Sequence, residues 1–436
     1  MRRLLKVASI AMLGAVIAAG CGSSGGSSGT TSASGGSNSA SAPGVTANSI
    51  LLGSHQPLTG PAAPGYSEIA PATNAYFQYV NANGGVNGRK ITYNYQDDAY
   101  NPSQTATVVR KLVLQDNVFA IIGGLGTPTH EAVQGFLNTQ KVPDLFVESG
   151  CGCWNDPQKY PYTTGFQPNY TIEGKILGKY VASSLAGQKV AYVYQNDDVG
   201  SYGTKGLDQT IPKADVVARQ PYDVANLTAG LGNQINAAKA AGAQVVVLFA
   251  IPAAVALALL AAAEIGYHPT FVSSSIGTDP PTLNGLLSSF SKGKAGGSLE
   301  NGMVSMTYLP NESDSSNAWI KLFHQIHDQY DASQPWDGNT VFGMSLGYSV
   351  VQAIKAAGKN LTRQGLMDAL NSQGSSWKGP GLVPFGFSKT DHNGYVGGQI
   401  VTINNSVITG IGPVFETSDT GPINTYSGGS GTPPSS

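Results

Sequence analysis

The chain has 436 residues, of which only 11% are charged, and 24 Lys and Arg against 26 Asp and Glu leave a net charge of -2. No basic run is longer than Arg89-Lys90 or Arg110-Lys111, which argues against nucleic acid or an acidic surface as the main partner. Gly, Ser, Thr, Asn and Gln carry the solvation instead, a composition suited to an exported protein. Met1 to Gly20 reads as an export signal: Arg2, Arg3 and Lys6 are its charged start and Val7 to Ala19 its apolar stretch. Small residues, Ala18-Ala19-Gly20, precede Cys21. Such a segment is removed and is no part of the fold. Cys21 is the expected lipid-attachment residue, although Ala18 stands where Leu is usual. An acylated Cys21 would tether the protein to the outer face of a membrane without spanning it. Gly22 to Ala42 is almost entirely Ser, Gly, Thr and Ala and reads as a flexible linker. Ser427 to Ser436 has a similar composition, and residues 421–436 are expected to form a disordered tail.

The part between these ends is roughly 380 residues, enough for two domains with full cores. Strand and helix alternate along it. Ser49–His55 is a predicted strand, Ser67–Asn83 a helix, Lys90–Gln96 a strand and Pro102–Gln115 a helix. Phe119–Gly123 is a strand, Pro128–Asn138 a helix and Asp144–Glu148 a strand. A second series runs from a helix at Ile172–Leu185 through a strand at Lys189–Gln195, a helix at Tyr202–Ile211 and a strand at Val216–Gln220. It continues with a helix at Leu227–Ala241. Val245 to Ala263 is an unbroken apolar run of near-membrane length, but Pro252 splits it. Its first half is short and β-branched, like a buried parallel strand, and Pro252 opens an Ala/Leu helix. Helices follow at Ser316–Tyr330, Thr340–Ala357 and Arg363–Asn371. The chain closes with an antiparallel pair, Gln399–Ile403 and Ser406–Ile411, joined through Asn404-Asn405. Two βα series imply two lobes, each a parallel sheet covered by helices on both faces.

No hydrolytic or redox motif emerges. His324 and His327 share a helix face without a metalloprotease spacing around them and read as solvent-facing. Gly123-Gly124-Leu125-Gly126 lies between a strand and a helix, but Thr129 replaces the third glycine of a dinucleotide loop. No cofactor is expected. Thr127 is instead a candidate N-cap, with Pro128 as first helical residue, so that the helix N-terminus offers a site for one carboxylate. Apart from Cys21 the only cysteines are Cys151 and Cys153. A disulfide is the favoured state in an oxidising compartment, with two free thiols or a metal as alternatives. A bridge across one residue makes a tight ring.

Ser54-His55-Gln56-Pro57-Leu58-Thr59-Gly60-Pro61, Asn81 to Lys90, Gln96-Asp97-Asp98, Ile121-Ile122-Gly123-Gly124, Tyr194 to Tyr202-Gly203, and Ala262-Ala263-Glu264-Ile265-Gly266 form a set of segments. Together they resemble the substrate-binding lipoproteins of branched-chain amino-acid ABC transporters. The resemblance runs from about Val45 to about Glu416. It implies an α/β type I periplasmic-binding fold of two Rossmann-like, doubly wound lobes joined by three hinge crossings. Lobe one would comprise 45–168 with 302–373, and lobe two 169–301 with 374–420. It also implies a small-molecule ligand in the interlobe cleft, ABC permease subunits as partners, a monomer, and no enzymatic activity. By this likeness the ligand would meet Tyr66, Gly126, Thr127, Ser149, Gly150, Cys151, Trp154 and Tyr202. Members that bind amino acids hold the ammonium with an acid from the second lobe, but the matching position is Ser275. A hydroxyl cannot replace that countercharge. Either Asp279 takes its place, or the ligand is a carboxylate without an amine. A receptor signalling to a membrane partner is the alternative role.

Overall fold

The computed structural model describes residues 38, 39 and 41–434; the export signal, Cys21 and nearly all of the linker lie outside them. The first series folds as β1 (Ser49–Gln56), α1 (Ala63–Tyr66), α2 (Ile69–Ala82), β2 (Lys90–Asp97), α3 (Pro102–Leu114), β3 (Ala120–Ile122), α4 (Thr127–Thr139), β4 (Asp144–Val147) and β5 (Thr163–Gly165). The second comprises α5 (Tyr170–Ser184), β6 (Val190–Gln195), α6 (Asp198–Leu207), β7 (Val216–Tyr222), α7 (Gly232–Ala240), β8 (Val245–Phe249), α8 (Pro252–Glu264), β9 (Thr270–Ser273), α9 (Pro280–Phe290) and β10 (Met303–Thr307). Then come α10 (Ala318–Tyr330), α11 (Gly338–Ala357), α12 (Arg363–Gln373), β11 (Gly397–Asn404), β12 (Val407–Glu416) and β13 (Asn424–Tyr426). The apolar run divides at Pro252 as expected. Every residue of β8 is buried, as a strand in the middle of a covered parallel sheet must be.

The five-stranded first sheet has the order β2-β1-β3-β4-β5 and is parallel throughout. In the eight-stranded second sheet, β7-β6-β8-β9-β10 repeats that order, and β11, β12 and β13 extend it antiparallel. In each half the connections reverse direction between the first and third strands. That reversal opens a crevice at the strands' carboxyl ends.

Three segment assignments need correction. β10 pairs with β9 and β11 and so belongs to the second sheet, because its buried Val304 and Met306 fill that lobe's core. Val383, Phe385, Phe387 and Tyr395 instead pack into the first lobe's core beside Phe146 and Phe166. The chain therefore crosses between lobes after β5, after β10 and before β11. Residues 421–434 are ordered rather than a loose tail. β13 pairs with β12, and the Trp319 indole N–H donates to the Gly431 carbonyl. Upstream, the buried Lys175 ammonium donates to Thr417 Oγ1 and to the carbonyls of Ser418 and Gly421. Composition misses this because backbone partners, not apolar side chains, hold the segment. Smaller differences have local causes. The hairpin turn is centred on Asn405 and Ser406, both with positive φ. α6 starts at Asp198, where Asp197 caps it. The expected helix from Leu227 begins as a short 3-10 turn.

The first lobe also holds a buried polar string. Asp98 Oδ2 meets His55 Nδ1 at 2.8 Å, His55 Nε2 meets His130 Nδ1 at 2.9 Å, and His130 Nε2 meets Asp144 Oδ2 at 2.9 Å. Thr105 and Thr163 hydroxyls donate to the outer carboxylates. All four members are fully buried. Burial lowers the pKa of His55 despite Asp98 beside it. The Gly-rich loop is explained here: a Cβ on Gly124 would lie 2.5 Å from both His55 Nε2 and His130 Nδ1. His324 is exposed, whereas His327 is buried and its Nε2 meets the Gln334 carbonyl, a correction to the solvent-facing reading.

Removing His130 strips a partner from both His55 Nε2 and Asp144 Oδ2, which stay buried. His130→Leu should cost about 3–5 kcal/mol, against within roughly 0.5 kcal/mol for exposed His324→Ala, as read from urea unfolding midpoints. Equal effects would contradict the buried string.

Candidate functional site

The carboxyl ends of both sheets face each other across a cavity of about 140 Å³. The first lobe contributes Tyr66 after β1, Leu125 to Thr127 after β3 and Gln167 after β5; the second contributes Val199 after β6, Ile251 after β8 and Ser275, Ile276, Thr278 and Asp279 after β9. The walls are largely apolar and aromatic, with Met306, Tyr308, Leu309, Phe342, Ile403 and Ile408 among them, and none of the lining residues is Lys, Arg or His. Such a space takes a ligand with an apolar body and few polar groups.

Of the residues singled out in the sequence, Tyr66, Gly126, Thr127, Ser275 and Asp279 line this cavity. Gly126, with φ 102°, is the N-cap of α4, and Thr127 is the first helical residue rather than the cap. Its side chain is thereby free to meet Ser149 Oγ at 2.6 Å. Tyr170, the first residue of α5, brings its phenol to both hydroxyls. Thr127 and Tyr170, one from each lobe, thus bring hydroxyls to the cavity beside a helix N-terminus, a neutral donor pair that fits one carboxylate. Ser149 stands behind Thr127, outside the cavity lining, and accepts the Cys151 N–H. The Gly150 carbonyl accepts the Tyr170 N–H.

Cys151, Trp154 and Tyr202 also lie outside the lining. Cys151 and Trp154 are buried with Val147 in a small cluster of their own. Trp154 donates its indole N–H to the Ser149 carbonyl and sets its ring edge-on to His130. Tyr202 packs over Gly152, where a Cβ would lie 2.5 Å from its ring. This group props the loop that carries Ser149. The Cys151 and Cys153 sulfurs lie within bonding reach of each other.

Asp279 is fully engaged. Its Oδ2 accepts from Thr282 N and Oγ1, capping α9, and its Oδ1 accepts from Gly338 N at the start of α11. α9 covers the second sheet and α11 packs on α2 of the first lobe, so one carboxylate caps helices of both lobes. Tyr66 makes a second crossing, donating its hydroxyl to the Ile276 carbonyl at 2.6 Å. Burial, then the charge of Asp337, raises the pKa of Asp279.

Glu173 escapes sequence reasoning. It sits in the first turn of α5 and accepts the Ser275 N–H at 2.6 Å. An acid therefore stands behind the very position where the sequence lacks one, although it does not line the cavity. Burial pushes its pKa up to about 7 against the pull of the Ser275 hydrogen bonds. Only a buried acid amid apolar helix residues hinted at it. Glu148 lines the cavity, but both its carboxyl oxygens are buried without a hydrogen-bond partner, and burial holds its pKa well above the usual carboxylate range.

A family model described as periplasmic binding protein matches residues 49–406. The chain belongs to the periplasmic binding protein family. It is 25% identical over 320 residues to a Leu/Ile/Val-binding protein homolog 1 of Brucella melitensis, covering 71% of this chain and 79% of that protein. A fatty acid ABC transporter substrate-binding protein from Thermomonospora curvata superposes with a TM-score of 0.74 at 22% identity, covering 88% and 98%. A branched-chain amino-acid ABC transporter protein from Thermus thermophilus with bound valine gives 0.73 at 18%, covering 85% and 97%. The fold is the type I periplasmic-binding fold, with two α/β lobes. Members of this family are extracytoplasmic solute-binding proteins, not enzymes. Among the described residues, no helix is long and apolar enough to cross a membrane.

Glu173 has a folded pKa of about 7 against an ordinary 4.5. It favours the folded state fully below pH 4.5, and that contribution is lost as pH rises through 7. Between pH 5 and 8 the wild type should lose on the order of 3 kcal/mol more than Glu173→Gln in urea unfolding. Parallel pH profiles would contradict the assignment.

Proposed function

We propose that the protein is a lipid-anchored receptor that captures a small carboxylate-bearing compound and delivers it to an ABC permease. The observation that carries this reading is the interlobe cavity, where Thr127 and Tyr170 meet at a helix N-terminus while the rest of the wall is largely apolar. The carboxylate is held by hydroxyls and the start of α4, with the body of the ligand among Ile276, Met306 and Leu309. Cys21 carries the acyl anchor, and Cys151 and Cys153 are bridged in the exported protein.

The ligand we favour is an organic acid without an α-amine. An ammonium buried in the cleft needs a carboxylate. Asp279 already accepts three hydrogen bonds, and Glu173 holds Ser275 from outside the cavity. Two further acids line the cavity: Glu312 lies near Asp279 and Asp337 around the start of α11, and Glu148 is buried without a hydrogen-bond partner, where burial favours its uncharged form. The names of the relatives allow both ligand kinds, since one binds valine and another is called a fatty acid binder.

A thermal-shift screen of small acids tests the reading. Deaminated analogues of leucine, isoleucine and valine should raise the midpoint more than the amino acids do, and Thr127→Ala should abolish the shift. A leucine shift exceeding those of the analogues would contradict it. In the same expression experiment, Cys21→Ser should release the protein from the membrane fraction; retention after a salt wash would refute the anchor.

A further inference from the structure

A second cluster of chemistry lies beside the cleft but outside the cavity lining. Glu131 on α4, Cys151 and Cys153 in the loop after β4, and Asp198 at the start of α6 place one donor atom each within 4.8 Å of one another. Glu131 and both cysteines belong to the first lobe, and Asp198 to the second. Cys151 Sγ is 3.8 Å from Asp198 Oδ2 and 4.0 Å from Glu131 Oε1, and Cys153 Sγ is 3.8 Å from Glu131 Oε1. The charges acting on Glu131 are those of Asp198 and Asp197, all of one sign. Closing the lobes thus sets two carboxylates against each other with no basic side chain between them.

We propose that, with Cys151 and Cys153 as thiols, these four residues form a site for one soft divalent cation, such as zinc or cadmium, that ties the two lobes together. Two thiolates and two carboxylates make a tetrahedral set. With metal–sulfur bonds of about 2.3 Å and metal–oxygen bonds of about 2.0–2.2 Å, its donors stand roughly 3.3–3.8 Å apart. The sulfur–oxygen separations are already within a few tenths of an ångström of that. The cation also neutralises the opposed carboxylates, which no residue nearby does. The bridged form has no such site, because the sulfurs are bonded to each other and carry no thiolate charge. A dithiol opens it: the Cys151–Cys153 bond breaks, the two cysteines take two electrons and two protons, and the dithiol closes to its own disulfide. Metal binding then releases the two thiol protons to solvent. The redox state of the loop would thereby set whether closure can be locked without ligand.

The test uses the full-length exported protein in detergent, reduced with a phosphine under argon and titrated with cadmium chloride. Reduced wild type should develop a sulfur-to-cadmium charge-transfer band that saturates at one equivalent, and the unreduced protein should show none. Asp198→Asn and Glu131→Gln should each weaken binding at least about tenfold, no less than loss of an outer partner costs a metal site. Glu131 is exposed, so its variant keeps the fold if the Asp198 variant does not. By small-angle scattering, cadmium should reduce the radius of gyration of reduced wild type but not of Asp198→Asn. Absence of a band in reduced wild type would overturn the proposal. A band unchanged in both carboxylate variants would do so too, since it would mean a two-cysteine chelate confined to one lobe.

Discussion

Closure of the two lobes is the constraint on which the rest depends, because it brings acids together. Asp279 meets Asp337 and Glu312 at the start of α11, and Glu131 meets Asp198 near the cysteine loop. No lining residue is basic. Like charges drawn out of water oppose the closed form unless protons, hydrogen bonds or a bound partner compensate. The Asp279 carboxylate shows one compensation, capping helices of both lobes at once. Tyr66 on Ile276 and Asn339 on Thr282 add further crossings. Each is worth about 0.5–1.5 kcal/mol net. Balanced in this way, the closed form is not strongly favoured alone, and a ligand touching both lobes shifts the population.

The fold's repeat explains where the ligand goes. Both parallel portions have the same strand order, and in both the reversal between first and third strands opens at the carboxyl edge. Facing the two edges encloses one cavity. Thr127 and Tyr170 then meet because each begins a helix that starts at this edge, one in each lobe. The apolar portion comes from the returning hairpin, through Ile403 and Ile408, and from the loop after β10. That hairpin extends the second sheet without a counterpart in the first.

Periodicity made the alternation of strands and helices legible, and Pro252 resolved the one stretch that imitates a membrane span. The family resemblance pointed to Tyr66, Gly126, Thr127 and Ser275, and nearness to Ser275 pointed to Asp279; all five line one cavity. It did not separate ligand-facing residues from those that prop them. Ser149, Gly150, Cys151, Trp154 and Tyr202 are close in sequence or by analogy, yet they stand one layer behind. Glu173 and the His55–His130 string were invisible for another reason. A buried polar group is made tolerable by its partners, and here the partners lie 102 and 75 residues away. The ordered C-terminus was missed because Lys175 and Trp319 hold its main chain, which composition does not report.

The central claim is that this cavity holds a carboxylate without an α-amine. Native mass spectrometry of the protein purified without exposure to denaturant measures it directly, by identifying what leaves the cavity on collisional release. The account predicts one small organic acid per chain, lacking an amine and carrying an apolar body. An α-amino acid released from unmodified protein in the same proportion would contradict it.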